Sequence, residues 1–168
     1  MTEYLEDCDN LIIQVLAEFS IFIYTLSKDS QNSRMLHNVI IESRRLHIRV
    51  LEDFFSAKRK NKDDIIFSDL IENTNRFTPP PALDSNVRTL INKHTAHLSK
   101  KRGKLSDCSE TEMNFYSEYI RAIGDYITVL DENINPKYKD DYYASDAREL
   151  RNTIILQLME FYTINSKG

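Results

Sequence analysis

Glycine occurs three times and proline four times in 168 residues, and three of those prolines stand together at Pro79, Pro80 and Pro81. These are the residues that interrupt regular structure, so a chain this poor in them has long stretches over which a helix can run unbroken. The expectation is an all-α fold: an up-down bundle of about five helices in one domain over 1–168, with an irregular connection at about 56–83 around the prolines. Nine tyrosines, eight phenylalanines and an apolar fraction of 41% are enough to fill its core.

Apolar spacing places the helices. Tyr4, Cys8, Leu11, Val15, Phe19, Phe22 and Leu26 recur at three and four residues and predict a first helix from about Glu3 to Leu26. A second extends to about Phe55, with Leu36, Val39, Ile40, Leu51 and Phe54 facing inward. Asp64 to Glu72 suits a short helix, whereas Asn73 to Pro81 cannot continue one, because proline removes N–H donors and restricts the residue before it. A third long helix starts at Asp84 or Ser85 and ends near Lys101, before Gly103. The capping-box spacing of Ser109 and Glu112 opens a fourth, ending near Asn133, whose stripe Tyr116, Ile120, Ile123, Ile127 and Leu130 carries no charge. The fifth runs from about Ser145 to Asn165, with Ile155, Leu158, Met159 and Tyr162 buried.

The net charge of −4 conceals a segregation: residues 34–104 hold 15 Lys and Arg against 8 Asp and Glu, a local +7 that leaves −11 for the two ends. A basic middle either faces a phosphate backbone or pairs with the acidic ends. Residues 1–9 lack the pattern of a secretory signal, and Gln14 and Glu18 interrupt the apolar run 11–26, so neither secretion nor membrane spanning is expected and the chain reads as cytoplasmic. Cys8 and Cys108 have no zinc spacing and read as free thiols.

Polar residues that interrupt the apolar stripes carry the functional reading. With about 100° per residue, His47 falls mid-stripe on the second helix and Arg44 at its edge, while Arg45 and Arg49 point to the opposite, solvated side. On the third, His94 lies inward beside Leu90 and Ile91, with His97 towards the rim, so His47 and His94 are expected to approach one another. Arg148, Arg151 and Asn152 continue the fifth helix's inner line. Each also has a structural explanation: an inward histidine donating to a carbonyl or tyrosine, or an arginine meeting Glu18 or Asp64.

The sequence has no H-E-x-x-H, no inward Glu-x-x-His pair, no G-x-S-x-G and no glycine-rich phosphate loop, so no metal site and no cofactor is expected. Arginine and histidine together suit an anion, since guanidinium binds phosphate bidentately and imidazole moves a proton near neutral pH. A metal-independent ribonuclease uses such a set: the 2′-hydroxyl attacks once its proton is accepted and the charge at phosphorus is neutralised.

The run Arg88-Thr89-Leu90-Ile91-Asn92-Lys93-His94, arginine then five residues then histidine, resembles the motif of the HEPN superfamily. Its members are small helical bundles of bacterial toxin and defence systems, often acting as dimeric ribonucleases. Thr89 replaces the polar residue that often follows the family's arginine, and an ideal helix sets Arg88 and His94 about 120° apart. Leu46 to Phe55, Asp63-Asp64 and His94 to Leu98 also look like a family of uncharacterised bacterial helical proteins. The HEPN resemblance implies Arg88 and His94 as catalytic residues, RNA as partner and a homodimer, and His47 joins them as a catalytic candidate from its inward position on the second helix. The basic residues Arg44, Lys100, Lys101, Arg102, Lys104, Arg148 and Arg151 are the candidate RNA contacts. The alternative is a non-catalytic interaction or structural bundle whose inward cations fix helix packing.

Overall fold

The structure, a computed structural model, describes residues 10–27, 34–56, 58–95 and 110–165; the side chains at 34–36, 93–95 and 164–165 are outside that description. Seven helices occur among these residues rather than about five: α1 (Leu11–Ser27), α2 (Arg34–Phe55), α3 (Phe67–Leu70), α4 (Ser85–Thr95), α5 (Glu110–Asn133), α6 (Lys139–Tyr143) and α7 (Ser145–Asn165). The five long ones match the expected five, and the additions are the short α3, foreseen as a short helix, and α6, which was not foreseen.

Side-chain caps fix several starts. Asn10 Oδ1 accepts from the N–H groups of Ile12 and Ile13 at 3.0 and 3.3 Å, and Asp84 Oδ1 accepts from Asn86 N at 2.8 Å, satisfying donors that have no partner inside their helices. The expected cap at Ser109, the cysteines, His97 and the C-terminal part of the third predicted helix lie outside the described residues.

Helix α1 packs against both α2 and α7, while α5 packs against α7 and α2. Their inner faces and the connecting segment close one apolar cluster. Its centre is aromatic: the Tyr126 ring lies 4.9–6.5 Å from those of Phe19, Phe54, Phe55, Phe67 and Phe77. Its hydroxyl donates to Phe67 O at 2.6 Å, so the buried polar tip is satisfied.

The 56–83 connection is held down along its length. Glu72 N donates to Asn133 O at 2.9 Å and Asn135 N to Leu70 O at 2.8 Å, around an isolated antiparallel bridge between Ile71 and Ile134. Its own Phe67, Leu70, Ile71, Phe77 and Leu83 are buried in the core. These anchors explain why so long a connection keeps its place.

Two stripe assignments are corrected. On α2 Leu51 and Phe54 are buried as expected, but Ile41, Arg45, Ile48 and Phe55 are buried with them, which centres the covered face about one residue step round from the expected line, and Val39 is exposed. On α7 the buried residues are Ala147, Ile154 and Leu158, so Ile155, Met159 and Tyr162, expected inside, are exposed. Both helices carry apolar residues on two faces, and spacing alone selects the wrong one.

Candidate functional site

The residue that most alters the sequence reading is Arg45. Expected in solvent, it is 0% exposed, and its guanidinium grips Glu112, 1% exposed, through Nε at 2.8 Å and Nη2 at 3.1 Å. The pair joins α2 to the first turn of α5 in a two-pronged geometry that compensates both desolvated charges. Tyr116 Oη donates to Glu112 Oε1 at 3.4 Å. The α5 stripe therefore does contain a charge: Glu112 lies four residues before Tyr116 on the same line, a signal masked by its assignment to a backbone cap.

His47 is half-buried and faces α1, where its Nδ1 lies 2.5 Å from Glu18 Oε1. Arg44 turns the same way and donates from Nε to Thr25 O at 2.7 Å. These two do share a face, as expected, but what they meet is a carboxylate and a carbonyl of α1. Arg49 is exposed, as expected, and donates to Asn92 Oδ1 at 2.6 Å.

Arg88 projects from the first turns of α4 and closes on Glu52 of α2, Nε donating to Oε2 at 3.2 Å and Nη2 to Oε1. Glu52 Oε1 also accepts Leu83 N at 3.0 Å, and hydrogen bonding to Glu52 raises Arg88 above the ordinary guanidinium value. A cavity of about 370 Å³ opens beside this pair, between the end of α2, the prolines and α4. Phe55, Pro79, Pro80 and Tyr119 give it apolar walls, and Asp53 and Lys60, ion-paired with each other, stand on its rim. Burial pushes the Tyr119 hydroxyl up, keeping it neutral, and Tyr119 Oη donates to Pro81 O at 3.4 Å.

Arg148 and Asn152 are exposed, against expectation, because the buried side of α7 lies away from them; Arg148 donates to Tyr143 O at 3.2 Å. Arg151 is largely covered, but neither Glu18 nor Asp64 is its partner. It bonds Asp131 on α5 and stacks 4.1 Å above the Tyr142 ring. Tyr142 Oη donates to the same Asp131 carboxylate at 2.9 Å.

The remaining candidates cannot be joined to these. The His94 side chain and residues Lys100, Lys101, Arg102 and Lys104 lie outside the description, so the expected approach of His47 and His94 falls there too. No group of three His, Cys, Asp or Glu able to hold a metal ion occurs among the described residues, and no helix among them is long and apolar enough to cross a membrane.

Fold and site define an all-α bundle whose covered cations are tied across helix boundaries. No protein-family model, no curated protein and no solved structure matches the chain.

Proposed function

We propose that the chain is a cytoplasmic, non-catalytic helical bundle that acts by presenting its surface to a protein partner, with its inward cations serving helix packing. One observation carries this: three arginines each close an ion pair between a different pair of helices, and His47 meets Glu18 across a fourth. Arg45 joins α2 to α5, His47 joins α2 to α1, Arg88 joins α4 to α2, and Arg151 joins α7 to α5. A guanidinium already gripped by a carboxylate has its charge largely compensated, which weakens its hold on a phosphate, and removing either partner costs the other its compensation. The exposed apolar residues Leu156 and Met159 on α7, with Val39 and Leu46 on α2, support the interaction role.

A second reading has its own support. Arg88 is 48% exposed, lines a cavity, and begins the arginine-to-histidine run on α4, which favours a HEPN-like, metal-independent ribonuclease of bacterial defence, acting as a dimer on RNA. Lys100, Lys101, Arg102 and Lys104 would then contact phosphates, and binding would weaken steeply with salt.

One experiment separates the readings: pure protein is incubated with total RNA in the presence of a metal chelator. The interaction reading expects no discrete fragments. Fragments from the wild type that disappear in a folded His94→Ala variant, a loss on the order of 10²-fold or more in rate, would replace it with the ribonuclease.

A further inference from the structure

The cavity beside Arg88 has a charge pattern that neither reading uses. Two carboxylates and two cations line it: Glu52, Asp53, Lys60 and Arg88. Each pair leaves hydrogen-bonding capacity unused. Arg88 uses Nε and Nη2 on Glu52, and a guanidinium carries five N–H groups, so three remain. Asp53 accepts Lys60 at Oδ1, leaving Oδ2, and Lys60 gives one of three ammonium hydrogens. Glu52, by contrast, is occupied at both oxygens, by Arg88 and by Leu83 N.

A ligand of one charge sign would gain at one edge of this cavity and lose at the other: a lone anion meets Asp53, and a lone cation meets Arg88. A molecule bearing both signs meets each with its opposite, which makes like-charge repulsion the source of selectivity. The walls between the charges are Phe55, Pro79 and Pro80, so the rest of the ligand is apolar. The volume, about 370 Å³, lies at the lower end of the range for small-molecule sites. The side chains are held before any ligand arrives. Tyr119 and Phe55 are buried with rings 6.1 Å apart, and Glu52 fixes both Arg88 and the backbone of Leu83, so little ordering remains to be done on binding.

We propose that this cavity binds a small zwitterion of the α-amino acid type with an apolar side chain, its carboxylate on the outer edge of Arg88 and its ammonium on Asp53. The test is a titration of the isotopically labelled full chain followed by amide resonances, with L-leucine as probe. N-acetyl-L-leucine keeps only the carboxylate, L-leucine amide only the ammonium, and inorganic phosphate supplies an anion without an apolar part. Expected are saturable shifts at residues around the cavity with L-leucine, and binding at least about tenfold weaker for each single-charge analogue, equivalent to about 1.4 kcal/mol per lost contact. Arg88→Gln should weaken L-leucine binding by a similar factor. Because that change also loosens α4 from α2, Asp53→Asn serves as a second variant: it leaves Glu52 and its bonds to Arg88 and Leu83 untouched, and should weaken L-leucine binding by a similar factor. No saturation by about 10 mM L-leucine, equal binding of the single-charge analogues, or preferential binding of phosphate would overturn the proposal.

Discussion

Glu112 and Arg45 pose the sharpest energetic question in the molecule, because both charges have left water completely. Taking two ions out of solvent costs several kcal/mol each, and only their mutual attraction and hydrogen bonds repay it. Glu112→Gln keeps the shape but leaves Arg45 charged in the interior. The expected loss is about 3–5 kcal/mol, read as a shift in denaturation midpoint. The double change Arg45→Met with Glu112→Leu should recover most or all of that loss, since an apolar pair of similar volume needs no desolvation repayment. A double variant as unstable as the single one would mean that the pair contributes more than it costs. The sequence placed Arg45 in solvent because the expected stripe, centred on His47, set it on the opposite side of the helix. Its depth follows from where the stripe of Ile41, Ile48 and Leu51 turns, which the exposed Val39 and Leu46 blurred.

Helix α5 shows when periodicity suffices: Tyr116, Ile120, Ile123, Ile127 and Leu130 were expected inside and are buried. Helix α7 shows when it does not. From Ile154 to Tyr162 it is apolar almost all round, so a three-and-four spacing can be drawn along more than one face, and only packing against α1 and α5 decides between them. The correction gives a direct test with neighbouring residues. Leu158 is 8% exposed and Met159 62%. Leu158→Ala should cost about 2–5 kcal/mol through lost burial and the cavity left behind, whereas Met159→Ala should stay within about 0.5 kcal/mol. Equal costs in thermal unfolding would show that the outer face is covered as well. The connecting segment was legible as irregular from its prolines. Its anchoring was not, because the bonds to Asn133 and Asn135 join residues some 60 positions apart in sequence, a separation at which one-dimensional spacing carries no signal.

The molecule as a whole is organised around tyrosines that must remain neutral. Burial raises Tyr126 well above its ordinary value, with Asp69 acting in the same direction, and burial also raises Tyr119 and Tyr142. In the unfolded chain all three lose their protons near pH 10.0, the ordinary tyrosine value, while the folded state still holds them. Above that pH the native state binds more protons than the unfolded state, so stability falls as pH rises; below it the contribution is fully present and stability is insensitive to these groups. Tyr126 alone makes the folding constant fall by up to about tenfold per pH unit once the unfolded hydroxyl has ionised, and the other two add to the slope. Urea midpoints measured between about pH 8 and pH 11 should be flat with respect to these groups at first and then drop steeply, and the share of tyrosinate absorbance that Tyr126→Phe removes should appear together with unfolding rather than before it. Tyr126→Phe should cost about 1 kcal/mol at neutral pH through the lost bond to Phe67 O, and should make the alkaline drop shallower. An unchanged slope in that variant, or tyrosinate absorbance from the central ring while the fold persists, would show that the aromatic centre admits a charge. The five phenylalanines packed around Tyr126 would then enclose water as well as one another.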